Sequence, residues 1–171
     1  AYQVNGSNPN PYPTFGDLDN DGDQDFLIGL NNGDFEYHEN IGSSAIPDFN
    51  STIQVNPFGL TASGIWNRPD FVDIDGDGDL DIIAFHNSIA YWYDNDGNES
   101  FSKRIIDITA ATSLVADKDN NDDNDTTLSI RSLHPIDIDN DSDIDFIASF
   151  SNKISLFENN GNENFYEHVI T

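Results

Sequence analysis

The chain has 171 residues and a formal net charge of −26, from 32 acidic and 6 basic side chains. Nucleic acid and anionic membrane surfaces are poor partners for so acidic a chain, because binding to phosphate needs clusters of lysine and arginine. The absence of cysteine excludes disulfides, thiolate zinc sites and cysteine nucleophiles. Hydrophobic residues make up 36% of the chain and fall in patterned blocks, which favours a folded domain over disorder.

The predicted elements recur three times along the chain in one order. In each copy a short strand leads into an acidic loop, and an apolar run, an aromatic-rich segment, an Asn/Gly turn and a last strand follow. The apolar runs are typical of strands that are buried on both faces, and the Asn/Gly turns favour hairpins. The first strands include 13–15 and 68–72, and the apolar runs are 26–30, 82–85 and 146–150. The aromatic-rich segments are 35–38, 90–93 and 154–157, and the turns are 40–42, 94–97 and 159–161. The last strands are 51–55, 103–108 and 167–170.

The acidic loops Asp17–Asp25, Asp73–Asp81 and Asp137–Asp145 carry Asp at every second position. Five carboxylates in nine residues repel one another unless a cation lies among them, and oxygen ligands in a tight loop are those that Ca²⁺ selects. An EF-hand is excluded, because its loop needs a Glu at the twelfth position and helices on both sides. The sequence therefore predicts three calcium loops, the ion being a structural one.

The repeat spacing predicts the fold class. The loops start at residues 17, 73 and 137, so 56 and then 64 residues separate them, and no stretch of ten residues shows helical periodicity. Four antiparallel strands repeated at this spacing are typical of propeller blades. We therefore predict one all-β domain over 1–171 with three four-stranded antiparallel blades, at about 11–58, 66–110 and 128–171. A parallel β-helix is the second choice, although its rungs are shorter, and an immunoglobulin-like sandwich does not explain the repeated loop.

The segments 15–26, 71–82 and 136–146, together with 89–97, resemble the FG-GAP/VCBS repeat family. These are calcium-loop β-propeller repeats found in integrin α-subunit heads and in many secreted bacterial proteins. The resemblance covers nearly the whole chain. It implies a secreted or cell-surface module whose blades depend on calcium.

The resemblance also implies the ligands in each loop, namely the side chains at positions one, three, five and nine and the main-chain carbonyl at position seven. The implied side chains are Asp17, Asp19, Asp21 and Asp25 in the first loop, Asp73, Asp75, Asp77 and Asp81 in the second, and Asp137, Asp139, Asp141 and Asp145 in the third. The implied carbonyls are those of Asp23, Asp79 and Asp143. Position six is glycine in the first two loops but Ser142 in the third, so we expect weaker binding or a strained backbone there.

Residues 117–125 also alternate acidic and amide side chains, in the longer linker between the second and third repeats. Asp117, Asp119, Asn121 and Asp125 are the candidate ligands of a fourth calcium ion. The segment has no glycine and no apolar run directly behind it, so a mobile acidic loop is the favoured interpretation.

Four aromatic residues are candidates for a sugar-stacking platform: Trp66, Tyr91, Trp92 and Tyr93. Trp92 lies in the middle of a predicted strand, which favours a core position. Trp66 follows Gly64 by two residues and precedes Pro69 by three, so a position on an exposed loop and a buried one are equally open.

The sequence predicts no enzyme. His38, His86, His134 and His168 are scattered, and nothing pairs them with an activated nucleophile or with one another. No phosphate-binding loop, nucleophile elbow or zinc-protease motif occurs. A pair of carboxylates for glycoside hydrolysis stays open, because Asp is so frequent in this chain.

We expect a secreted or cell-surface binding or adhesion scaffold with a protein or glycan ligand. Extracellular calcium levels fill loops of modest affinity, whereas resting cytosol does not. Three blades cannot close a ring, so we expect a homo-oligomer, a filament or a longer polypeptide, and the lack of Met suggests a processed product or a fragment. The propeller portion of a secreted polysaccharide-active enzyme and a structural filament subunit are the alternatives.

Overall fold

The computed structural model describes residues 11–61, 67–86, 89–98, 100–106, 130–150, 153–161 and 164–170, and these ranges contain strands, turns and bends but no helix. The strands form three antiparallel sheets of four strands each. The three sheets remain separate, so the ring of a propeller is not closed. The prediction of an all-β chain with three four-stranded antiparallel blades is confirmed.

In each blade, strands that follow one another in sequence are neighbours in the sheet. Blade 1 consists of β1 (Tyr12–Gly16), β2 (Asp25–Gly29), β3 (Phe35–His38) and β4 (Gln54–Val55). Blade 2 consists of β5 (Arg68–Val72), β6 (Asp81–His86), β7 (Ile89–Asn95) and β8 (Phe101–Ile106). Blade 3 consists of β9 (Ile130–Ile136), β10 (Asp145–Phe150), β11 (Ile154–Asn159) and β12 (Phe165–Val169).

The predicted last strands of the blades need correction at their ends. The strand predicted at 51–55 is reduced to β4, because the residues before it form a loop with isolated bridges, and Asn56 ends the strand with a φ of 48°. The strand predicted at 103–108 begins at Phe101, which pairs with Asn95, and residues 107–108 lie outside the described ranges. The strand predicted at 167–170 begins earlier, at Phe165.

Neighbouring blades pack face to face through alternate residues of β6. Ile82 and Ala84 belong to the apolar core shared with blade 1, whereas Ile83 and Phe85 belong to the core shared with blade 3. This period of two is that of a strand covered on both faces, as the apolar run predicted. Burial of each isoleucine stabilises the fold by roughly 1.5–3 kcal/mol.

Among the residues that the structure describes, none forms such a cover over the outer face of blade 3. Ile147 follows Phe146 in β10 as Ile83 follows Ile82 in β6, but Ile147 is only half-buried. Ile154 of β11 is 44% exposed. The blade stack therefore ends on an apolar face that is only partly shielded from water.

Candidate metal centres

The three acidic loops occupy equivalent places in the blades, each joining the first strand to the second. We refer to Asp17–Asp25 as loop 1, Asp73–Asp81 as loop 2 and Asp137–Asp145 as loop 3. Because each loop joins the same two strands of its blade, all three loops lie at the same end of their blades.

Each loop brings three carboxylate oxygens within 4.8 Å of one another. The clustered residues are Asp17, Asp19 and Asp21 in loop 1, Asp73, Asp75 and Asp81 in loop 2, and Asp137, Asp139 and Asp145 in loop 3. Each cluster contains three of the four side chains that the family resemblance implied. Asp25, Asp77 and Asp141 lie outside these clusters, and the full ligand set stays a prediction.

The first carboxylate of each loop accepts hydrogen bonds from the loop backbone. Asp17 Oδ2 accepts from Gly22 N at 3.0 Å, and Asp73 Oδ2 accepts from Gly78 N at 3.0 Å. In loop 3 the Oδ2 atom of Asp137 accepts from Ser142 N at 3.2 Å, while its Oδ1 atom is buried without a hydrogen-bond partner. A buried carboxylate oxygen with no donor, beside two further carboxylates, fits a hard cation such as Ca²⁺.

The ninth residue of each loop is a buried Asp clamped by two backbone N–H groups. In loop 2, Asp81 Oδ1 accepts from Asn95 N at 2.8 Å, and its Oδ2 accepts from Ile74 N at 3.0 Å. The same pairs of bonds hold Asp25 and Asp145, with donors Asn40 and Leu18 in blade 1 and donors Asn159 and Ile138 in blade 3. This carboxylate therefore ties the acidic loop to the end of the third strand.

Sequence reasoning missed the role of the asparagine in this clamp, because it interpreted that residue only as part of a turn. The Asn95 side chain donates to Leu80 O and accepts from Gly97 N, so both of its ends are used. Asn40 and Asn159 make the equivalent bonds in their blades. The spacing in the sequence could have revealed the clamp, because the asparagine follows the ninth Asp by 15, 14 and 14 residues in the three repeats.

Burial and mutual repulsion perturb the loop carboxylates. Burial, followed by the charges of Asp25 and Asp21, raises the pKa of Asp19 to about 6. Burial likewise raises the pKa of Asp81 to about 7, against the opposing effect of its backbone hydrogen bonds. Burial is also the main cause of the raised pKa of Asp75 and Asp139. A bound cation would offset this cost.

The backbone confirms the strain predicted in loop 3. Position six has a φ of 96° at Gly22 and 99° at Gly78, which glycine adopts without a penalty. Ser142 adopts a φ of 79° at the same position. A β-carbon disfavours this left-handed region, so loop 3 keeps the turn at a cost that the first two loops do not have.

The remaining predicted residues lie away from the loops or outside the described ranges. Trp92 is 2% exposed and belongs to the core, as predicted, and Tyr93 is also fully buried. Trp66 and the 117–125 segment lie outside the residues that the structure describes. His38 stacks on Phe26 with their ring centroids 4.3 Å apart, and burial lowers its pKa.

Comparison with known families agrees with the loop geometry. Residues 17–84, from loop 1 into β6, match the family described as FG-GAP-like repeat. This part of the chain is therefore similar to FG-GAP-like repeats. Blade 3 lies beyond the match but contains the same Asp–Asn clamp. No curated protein matches the chain, and no helix among the described residues is long and apolar enough to cross a membrane.

Proposed function

We propose that this FG-GAP-like repeat module binds one Ca²⁺ in each of its three acidic loops and that the ions hold the blades in shape. The observation that carries the proposal is the repeated convergence of three carboxylate oxygens in a loop of otherwise exposed backbone. Oxygen-only ligands at this density are the donor set of Ca²⁺, which takes six to eight oxygens.

The ligands would be the carboxylates at positions one, three, five and nine and the carbonyl at position seven. The ninth carboxylate then has two roles, because it also accepts a hydrogen bond from the backbone at the end of the third strand or just after it. Through this residue the ion would connect the first, second and third strands of one blade. Calcium thus stabilises each small blade where a disulfide does so in other proteins.

The biological role that follows is an extracellular binding or adhesion scaffold. Extracellular calcium fills sites of modest affinity, with dissociation constants of roughly 10⁻⁴–10⁻³ M. A formal charge of −26 keeps the module soluble and disfavours polyanionic partners. The ligand class that remains is a protein or a glycan of low negative charge.

The partly exposed apolar face of blade 3 supports a role within a larger assembly. Ile147, Leu156 and Ile154 lie on this face and match the side of blade 2 that packs onto the next blade. We propose that further blades, from a second copy or from a longer polypeptide, cover it. Light scattering over a range of concentrations tests this, and a stable monomer at every concentration would count against a second copy.

Isothermal titration of metal-free protein with CaCl₂ tests the calcium proposal. We expect three ions per chain, and two for Asp75→Ala, which removes a ligand from loop 2. Asp48→Ala is the matched control, because Asp48 is an exposed carboxylate outside the three clusters. Titration with MgCl₂ should give much weaker binding, since Mg²⁺ demands octahedral geometry and loses water reluctantly. Equal stoichiometry in Asp75→Ala and Asp48→Ala would overturn the assignment of loop 2.

A further inference from the structure

A groove of about 160 Å³ lies between the first strands of blades 2 and 3, away from the calcium loops. Arg68 of β5 lines it from one side, and Arg131 and His134 of β9 line it from the other. Phe85 and Leu133 form part of its apolar floor. We call this the basic groove.

The concentration of positive charge in the basic groove is unusual for this chain, which has only 6 basic residues against 32 acidic ones. Arg104 forms an ion pair with Asp94, and Lys153 forms one with Glu167. Among the residues that the structure describes, neither Arg68 nor Arg131 forms an ion pair with a carboxylate. Two arginines without an acidic partner among the described residues therefore line the same small space, in a chain that is rich in carboxylates.

Arg68 is held in place before any ligand arrives. Its Nη1 donates to Arg131 O at 2.6 Å, and its guanidinium carbon lies 4.6 Å from the centre of the Tyr12 ring and 5.5 Å from that of Phe85. Such stacking and hydrogen bonding restrict a side chain that would otherwise lose much conformational entropy on binding. The groove thus presents a guanidinium group that is partly ordered in advance.

One carboxylate also lines the basic groove and reduces its net charge. Asp70 Oδ1 accepts from Thr14 Oγ1 at 3.1 Å and from Phe71 N at 3.0 Å, so this oxygen is already engaged by blade 1 and by its own strand. Arg68, Arg131 and Asp70 together give the lining of the groove a net formal charge of +1.

We propose that the basic groove binds a small carboxylate ligand of the size of a sugar acid. The carboxylate accepts hydrogen bonds from the guanidinium groups of Arg131 and Arg68, the geometry in which arginine recognises planar anions. The apolar face of the sugar ring rests on the Phe85 and Leu133 side of the groove. A groove of about 160 Å³ accommodates one such ring rather than a long chain.

Proton–nitrogen correlation spectra of the full chain at saturating calcium test the proposal, with D-glucuronate and D-glucose as the two probes. We expect glucuronate to shift the amide signals of Arg68, Asp70 and residues 131–134, and glucose to leave them unchanged. Raising NaCl from about 0.05 M to about 0.5 M should weaken the binding of glucuronate, because screening reduces the attraction between exposed charges. Equal responses to both sugars would overturn the proposal.

Arg131→Ala separates the basic groove from a general effect of charge. Arg131 is exposed, so its removal leaves the packing of Arg68 intact, and the affinity for glucuronate should fall roughly tenfold. Arg104→Ala is the matched control, since it removes the same charge from the outer strand β8 of blade 2. An Arg131→Ala protein that binds glucuronate as tightly as the Arg104→Ala protein would contradict the assignment. Calcium stoichiometry, measured on the same samples, reports separately on the acidic loops.

Discussion

Loops 1 and 2 share their Asp spacing with loop 3 but differ from it in the residue that lets the backbone turn. Gly22 and Gly78 reach φ values near 100°, whereas Ser142 carries a β-carbon into the left-handed region. The alternating carboxylates recur in all three copies, and the glycine recurs in two. A repeat can therefore keep its candidate ligands while it loses the glycine that adopts the turn without a penalty.

The ninth carboxylate of the loop also receives less support from its surroundings in blade 3 than in blade 1. In blade 1 the Tyr37 hydroxyl donates to Asp25 Oδ2 at 2.8 Å. Blade 3 has Leu156 at the equivalent place opposite Ile147, and leucine has no donor. Loops 1 and 2 are also linked to each other, because Asn20 Nδ2 donates to Asp79 Oδ1 at 2.9 Å. Among the described residues, loop 3 therefore has fewer of these supporting contacts than loops 1 and 2, and we expect its shape to depend more on a bound ion.

Removal of calcium should have the largest effect. Binding of an ion at about 100 times its dissociation constant stabilises a fold by about 2.7 kcal/mol per site, and each kcal/mol shifts Tm by about 2–4 °C in a chain of this size. Excess chelator should therefore lower Tm by more than about 10 °C in differential scanning calorimetry. An unchanged melting curve would contradict the structural role of the ions.

The pH dependence of the metal-free protein should oppose that of the calcium-loaded protein. The folded protein has pKa values of about 6 at Asp19 and about 7 at Asp81, above the ordinary 3.8 of an unfolded chain. The folded state therefore binds protons that the unfolded state releases, and the metal-free protein gains stability as pH falls from about 8 to about 4. With saturating calcium, protons compete for the ligands, and Tm should fall over the same range. A parallel trend in the two titrations would contradict this account.

Tyr37→Phe should selectively damage blade 1. The substitution removes the hydroxyl that donates to a buried carboxylate, at a cost of about 1–3 kcal/mol in the free energy of unfolding. Tyr166→Phe is the control, because Tyr166 is 58% exposed. Urea unfolding measures both, and equal stabilities would show that the Tyr37 bond contributes nothing.

Ser142→Gly should make loop 3 more like the other two loops. Removal of the β-carbon at a φ of 79° relieves about 1 kcal/mol of backbone strain, which corresponds to roughly fivefold tighter calcium binding in loop 3. The reverse change, Gly22→Ser, should weaken loop 1 by a similar factor. Calorimetric titration of both variants checks this, and the comparison fails if the two changes act in the same direction.

Asn20→Gly should have the smallest effect and should act on the neighbouring loop. Asn20 and Asn140 occupy the same position with φ values of 58° and 63°, but only Asn20 is seen to reach the next loop, at Asp79. Loss of one exposed hydrogen bond should weaken calcium binding in loop 2 about threefold. The Gly78 amide signal reports this affinity, and Asn140→Gly, the matched control, should leave it unchanged.

The sequence predicted the features that depend on local pattern. Alternating Asp residues marked the loops, and the apolar runs marked β2, β6 and β10, because each signal lies within one short segment. The Asn95 clamp was missed because its partner Asp81 is 14 residues away and the asparagine also suits a turn. The basic groove could not be predicted from the sequence either, because Arg68 and Arg131 are 63 residues apart and come into contact only when blades 2 and 3 pack.

Crystals grown at millimolar calcium, with anomalous scattering data collected at long wavelength, would show directly whether the three acidic loops bind calcium. We expect one anomalous peak in each of the three acidic loops, about 2.3–2.6 Å from the carboxylate oxygens and from the carbonyl oxygen of the seventh residue. Loops that contain only water under these conditions would contradict it.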